Sequence, residues 1–295
     1  MIDLSNEIIK NKIDYEKIKE KKSFFHLNDN QDCFINVIIG CRGRQEFLKP
    51  LTDSFISAID NYKEQKICLN ILEHNTFPQH LKFCKNNNIN YIWTEGNVSE
   101  QYSRSFAYNF GVKFSNKAKY YLLHDLDILV KKNFFYELIE NLKNFKCVQS
   151  YGGKRVLYMN NELTDKVIKK ILDYNSFNEK YLGVSLPMFN GKPALGSKGG
   201  SILIEKELFD EVGGFDPEIF WGYAAEDQFF WEKVLQVSEI GYADKPLIDM
   251  FHMWHPPSHA SNPDLMKMES FWIAFKNMTK EDKLKIIELK KKLYE

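Results

Sequence analysis

No apolar run in the 295-residue chain approaches the eighteen or so residues that a membrane-spanning helix needs. The first residues are polar and charged from Ser5 on, so no secretory signal is expected. Cysteine is scarce: Cys33, Cys41, Cys68, Cys84 and Cys147 are scattered, odd in number and never spaced C-x-x-C. That pattern suggests neither a zinc ribbon nor a disulfide framework and fits reduced thiols in a cytoplasm. An excess of either charge is also missing, with 40 Lys+Arg against 40 Asp+Glu. No global field then favours nucleic acid, and any contact with a polyanion must be local. Internal repeats and low-complexity tracts are absent too. What remains, at 44% apolar and 27% charged residues, is an ordinary globular composition.

Within it, Tyr120–Val130 (YYLLHDLDILV) stands out. A short apolar run ends in His124-Asp125-Leu126-Asp127, and apolar residues resume at Ile128. Such a run reads as a strand buried on both faces. Carboxylates at its carboxyl end are costly to desolvate without a positive partner. Ligands of open α/β sheets bind at that end, so Asp125 and Asp127 are candidates to hold a metal and a nucleotide. The alternative is a turn in which an aspartate caps the next helix.

Residues 1–30 read as an N-terminal helical extension, with Leu4, Ile8, Ile9, Ile13 and Ile18 at helical spacing. Residues 31–295 read as the main domain. Strands are expected at Phe34–Ile39, Ile67–Leu72, Asn90–Trp93 and Tyr120–Leu123, with helical patterns between them. This βαβαβαβ order predicts a mainly parallel sheet with right-handed crossovers. A helix over Phe134–Leu142, strands at Cys147–Ser150, Ser201–Ile204 and Leu247–Phe251, and a helix from Glu226 to about Val237 follow. Two C-terminal helices close the chain from about residue 263. Tyr174–Gly200, rich in Gly, Pro and Asn, is a long loop of the kind that carries function.

Several constellations carry chemistry. Arg42 and Arg44 follow the first strand of the main domain and either clamp phosphate oxygens or lie solvated on a loop. Arg104 sits where the pattern predicts a helix start, a place that favours anions. His252 and His255 follow the last strand; with one aspartate they suit a metal such as Mn²⁺ or Zn²⁺, and His124 and His259 are competitors. Glu226 and Asp227 open a helix, as caps or as an acceptor ligand and a general base. Trp221 and Tyr223 beside them stack on a sugar or belong to the core.

Seven stretches match one family in order: Cys41-Arg42-Gly43-Arg44-Gln45-Glu46-Phe47-Leu48, Arg104 with Asn109-Phe110-Gly111, Asp125-Leu126-Asp127, Gly199-Gly200-Ser201, Gly213-Gly214-Phe215, Trp221 to Asp227, and His252-Met253-Trp254-His255. Over about residues 33–263 the chain resembles the β-1,4-galactosyltransferases and, more widely, the metal-dependent GT-A glycosyltransferases. The resemblance implies an α/β GT-A fold that binds a nucleotide-diphospho-sugar on a mainly parallel sheet flanked by helices. It implies an inverting transfer from a UDP-sugar, galactose or GalNAc favoured, with Mn²⁺ or another divalent cation.

Position by position, the resemblance puts Arg42, Arg44 and Arg104 on the nucleotide or its diphosphate and Asp125 near the ribose and metal. Asp127, His255 and His252 become metal ligands, with His252 in the place of a methionine. Asp227 becomes the base, Glu226 an acceptor ligand beside Trp221 and Tyr223, and Gly199-Gly200 part of the donor pocket. The chain departs from the family at Ala224-Ala225, where Gly-Gly is usual, at Gln228, at Tyr223 for a tryptophan, and at Ser197-Lys198, where an aromatic is expected. The acceptor implied is an oligosaccharide or lipid-linked glycan of surface polysaccharide assembly. Peripheral association with the inner membrane face through the first helix stays open. A sugar nucleotidyltransferase and a non-catalytic carbohydrate-binding domain are the alternative readings.

Overall fold

The structure is a computed structural model and describes residues 2–27, 32–96, 101–151, 156–176, 188–189, 192–193, 199–242, 250–256 and 262–294. The N-terminal helical pattern is two helices rather than one. α1 (Leu4–Lys10) and α2 (Tyr15–Lys22) are capped by Asp3 and Asp14, whose carboxylates accept the backbone N–H of Asn6 and Lys17. Leu4 and Ile8 are buried and Ile9 faces out. The chain then forms β1 (Ser23–His26), a strand absent from the sequence reading.

The expected alternation follows: β2 (Cys33–Cys41), α3 (Gln45–Asn61), β3 (Ile67–Asn75), α4 (Leu81–Asn86), β4 (Asn90–Glu95), α5 (Arg104–Phe114) and β5 (Ala118–Asp125). β2 lies between β3 and β5, parallel to both, and is buried on both faces. Its residues alternate between two cores, Ile35, Val37 and Ile39 on one side and Ile38 on the other. Asn36 on the second side is satisfied there. It donates to Asn116 O at 2.6 Å and accepts from Asn70 Nδ2 at 2.6 Å.

The rest comprises β6 (Ile128–Val130), α6 (Phe134–Leu142), β7 (Cys147–Gln149), β8 (Val156–Tyr158), α7 (Asn161–Ile168), a ribbon of β9 (Met188–Phe189) and β10 (Lys192–Pro193), and β11 (Ser201–Glu205). It ends with α8 (Lys206–Glu211), α9 (Glu226–Val237), β12 (Gly241–Tyr242), β13 (Met250–His252), α10 (Leu265–Lys276) and α11 (Lys280–Tyr294). The main sheet runs β1-β4-β3-β2-β5-β11-β7-β12, with β4, β3, β2 and β5 parallel and β1 and β11 antiparallel to their neighbours. The carboxyl ends of the parallel strands therefore share one rim, and β11 starts there, Ser201 opposite His124.

β6 does not prolong β5. The turn at Leu126-Asp127 carries the chain into a second sheet, β6-β13-β8, in which His252 pairs with Ile128 and with Tyr158. α1, α9, α10 and α11 pack around Leu4, Ile8, Phe229, Phe271, Phe275 and Ile286. Beside them Lys233 and Lys290 are fully buried with Asp216 and Glu218, Lys233 Nζ lying 2.5 Å from Asp216 Oδ2 and Lys290 bonded to Glu218. No described helix is long and apolar enough to cross a membrane.

Candidate active site

Four elements converge at the shared rim: the end of β5, the end of β13, and the N-termini of α5 and α9. The turn after β5 is held to β13 by Met253 N, which donates to Asp127 O at 2.8 Å. This brings Asp127 against both histidines. His255 Nε2 lies 3.0 Å from Asp127 Oδ2, and His252 Nε2 lies 3.6 Å from Oδ1. One ligand atom from each residue falls within 4.8 Å of the others. Asp127 Oδ1 is buried without a hydrogen-bond partner among the described residues, the condition a cation would relieve. His255 Nδ1 sits 2.8 Å from Pro256 O, a contact that leaves the Nε2 lone pair for a metal. An Asp-His-His set fits a borderline divalent ion.

Arg44 enters the same cluster. Its Nη1 donates to Asp127 Oδ2 at 2.5 Å, and Nη2 lies 3.2 Å from His255 Nδ1. Gly43 and Arg44 both have left-handed backbones, at φ 66° and 53°. For arginine that costs about 1 kcal/mol or more and persists only where contacts over-determine it. His80 Nε2, 3.1 Å from Gly43 O, is one such contact. Burial works against ionising Asp127, but His252, the His255 hydrogen bond and Arg44 hold its carboxyl well below the usual range. Burial pushes His252 down; His255 is raised despite burial, because Asp127 accepts from it. His124 stays out of this set. It is fully buried, bonded to Ser201 Oγ and Ile128 O at 2.8 Å each, and burial pushes it to about 4.

A second cluster centres on Arg104, the first residue of α5 after the Ser103 cap. Nη1 donates to Asp125 Oδ2 at 2.7 Å; Nη2 donates to Glu226 Oε1 at 2.7 Å and to Asp227 Oδ2. Glu226 Oε2 accepts from Ala224 N at 3.0 Å, and Tyr108 OH donates to Asp125 Oδ1 at 2.8 Å. Asp227 Oδ1 is buried and unpartnered among the described residues. Burial pushes the Asp227 carboxyl up to about 7; Arg104 opposes this, and Glu226 and Asp125 reinforce it. A buried carboxylate with one unpartnered oxygen, pushed toward neutrality, has the chemistry that a general base requires.

The remaining candidates divide. Gly200 O accepts from Asp125 N at 2.8 Å, and Gly199 O accepts from Tyr151 OH; Gly199 lies against Asp227 and Gly200 against Asp125, so both border the Arg104 cluster. Arg42 lies on the β2–α3 loop, half-buried. Tyr223 is 51% exposed, whereas Trp221 packs with Phe106 and His74, ring centroids 6.0 and 5.9 Å apart. Trp221 thus takes the core alternative at the ring, while Tyr223 offers a surface. Ser197, Lys198 and His259 lie outside the described residues.

Four residues at the site escaped the sequence reading. Tyr108 follows Arg104 by four, the helical spacing that puts both on one face. Asn262 donates to Tyr223 O at 2.7 Å and to Trp221 O at 3.4 Å, fixing the loop before α9; the Asn262-Pro263 dipeptide was its turn signal. Tyr151 and Tyr158, the latter packed on His252 at 4.7 Å, had none.

Comparison with protein-family models and with curated proteins finds no match. Solved structures do match. S. aureus TarS 1–349 in complex with UDP-GlcNAc aligns with a TM-score of 0.59 at 12% identity, over 86% of this chain and 70% of that one. GalNAc-T7 with UDP, GalNAc and Mn²⁺ aligns at 0.51 and 13%, over 88% and 55%. The catalytic domain of Drosophila β1,4-galactosyltransferase 7 with xylobiose reaches 0.49 at 14%, over 76% and 71%. At these identities the likeness is one of fold: the chain has the mixed α/β architecture of the GT-A glycosyltransferases.

Proposed function

We propose that this chain is a metal-dependent, inverting glycosyltransferase moving a hexose or N-acetylhexosamine, galactose or GalNAc favoured, from a UDP-sugar to a hydroxyl of a glycan acceptor. The observation that carries the reading is the pairing, on one sheet rim, of the Asp127-His252-His255 set with the half-free carboxylate of Asp227. The TarS and GalNAc-T7 structures that share the fold hold UDP-GlcNAc, and UDP with GalNAc and Mn²⁺.

Asp127, His255 and His252 would hold a divalent cation, which would supply positive charge for a diphosphate leaving group. Arg42 and Arg44, on the loop beside that set, bind phosphate oxygens. Gly199 and Gly200 line the donor pocket, and Asp125 contacts the nucleotide. Tyr223, with Trp221 behind it, and Glu226 receive the acceptor. Asp227 Oδ1 takes the proton of the acceptor hydroxyl while that oxygen's electron pair forms the bond to the anomeric carbon. The bond from that carbon to UDP breaks with its pair going to the diphosphate, and the configuration inverts. A screen of UDP-sugars with Mn²⁺, read by UDP release with and without oligosaccharide, tests the reading. Acceptor-dependent release supports it; formation of pyrophosphate instead would favour a nucleotidyltransferase.

A further inference from the structure

The family resemblance puts Arg104 on the nucleotide or its diphosphate, yet its guanidinium is directed at three carboxylates. Asp125 comes from the end of β5, and Glu226 and Asp227 come from the first turn of α9. We propose that Arg104 is a positioning residue for Asp227, holding one carboxylate oxygen so that the other meets the acceptor, and not a ligand of the diphosphate. The inference rests on the transferase reading of the site.

Three observations carry it. First, the geometry around Asp227 is closed on one side. Oδ2 is taken by Arg104 and lies so near the Gly199 backbone that a β-carbon there would stand 2.0 Å away. Oδ1, on the other side, is buried and has no partner among the described residues. Second, Arg104 is fixed from behind. It opens α5, whose cap Ser103 accepts from Phe106 N at 3.2 Å, and its side chain is only 17% exposed. Third, the charge balance opposes a diphosphate. One guanidinium already faces three carboxylates, so further anionic charge at Arg104 would meet Asp125 and Asp227 at hydrogen-bonding range.

The charged and titratable groups facing Asp227 are Arg104 from α5, Asp125 from β5, Glu226 from α9 and Tyr223 from the loop before it, with Tyr108 bonded to Asp125. Arg104 alone among them favours ionised Asp227. Removing its charge therefore raises the carboxyl further and frees Oδ2 to rotate.

The test compares Arg104→Gln and Arg104→Lys with wild type in the full chain. For Arg104→Gln the expected results are a fall in kcat/KM of about 100-fold and an acid limb displaced upward by about one pH unit or more. UDP affinity in the presence of Mn²⁺, measured by calorimetry, stays within about threefold, below the 1.4 kcal/mol that a tenfold change represents. Arg104→Lys, which keeps the charge and serves if Arg104→Gln does not fold, shows a smaller displacement. An activity-free arm follows the ¹³C carboxyl resonance of Asp227, identified by its loss in Asp227→Asn; its titration moves up in Arg104→Gln. An unmoved titration overturns the proposal, and so does a tenfold loss of UDP affinity with an unmoved acid limb. Absence of turnover of every UDP-sugar by wild type would remove the transferase reading, while the resonance would still decide the contact.

Discussion

A β-carbon on Gly199 would stand 2.0 Å from Asp227 Oδ2. The close approach is a matter of space rather than backbone hand, and Asp227 can give way only by losing its bond to Arg104, which holds the same oxygen. Gly199→Ala should therefore displace Asp227 and lower kcat/KM on the order of 100-fold, the scale of an ångström's misplacement. Steady-state kinetics at saturating Mn²⁺ measure it, and wild-type rates would show that the approach is not needed.

Asp227→Asn should lose transfer by about 10²–10⁴-fold and keep Mn²⁺-dependent binding of UDP. Unchanged turnover would remove Asp227 from the base role.

The same carboxyl sets a pH dependence. Burial, opposed by Arg104 and aided by Glu226 and Asp125, pushes it to about 7. A base must be deprotonated, so kcat/KM should fall below about pH 7 with unit slope. The sign for stability is the reverse. The folded pKa exceeds the unfolded one, so burying Asp227 costs nothing below the unfolded pKa and most above pH 7. The melting temperature of Asp227→Asn relative to wild type should rise between pH 5 and pH 8. A flat difference would contradict the raised carboxyl.

For Asp127 the observable is thermal protection by UDP. Wild type should melt higher with UDP and Mn²⁺ than with either alone, and chelation should abolish the gain. Asp127→Asn should show little gain in any condition. Protection that survives chelator would argue against a cation between Asp127, His252 and His255.

Lys290 provides a stability test away from the rim. It is buried with Glu218, 3.8 Å from Asp216, next to the Lys233–Asp216 pair. Lys290→Ala strands a carboxylate in the interior and should cost about 3–5 kcal/mol, read by urea unfolding at pH 7. A midpoint equal to that of wild type would show that the cluster relaxes into water.

Much of this architecture is legible in the chain itself, because local patterns report local physics. Apolar runs of strand length separated by helical periods specify β2 to β5 and their crossovers, and four parallel strands with one rim follow from handedness. Residue types at strand ends marked Asp125, Asp127, His252 and His255 as candidates. Other features left no such mark. β1 is a four-residue edge strand that exists through its pairing with β4. The apolar residues 128–130 look like a continuation of β5 and belong to another sheet, because strand partners are chosen by register, not by neighbours in sequence.

Arg104 shows the division most sharply. Its position before a helical pattern was readable, and so was its affinity for anions. Which anions it meets depends on Asp125, Glu226 and Asp227 arriving from residues 21 to 123 positions away. A guanidinium's partners are set by distance and desolvation, which fall off over a few ångströms. The sequence alone therefore determined the alternating strands and helices of the parallel sheet and the chemical inventory of the rim. Only the tertiary structure decided which charges share a contact, because that choice depends on how the whole sheet and α9 close around them.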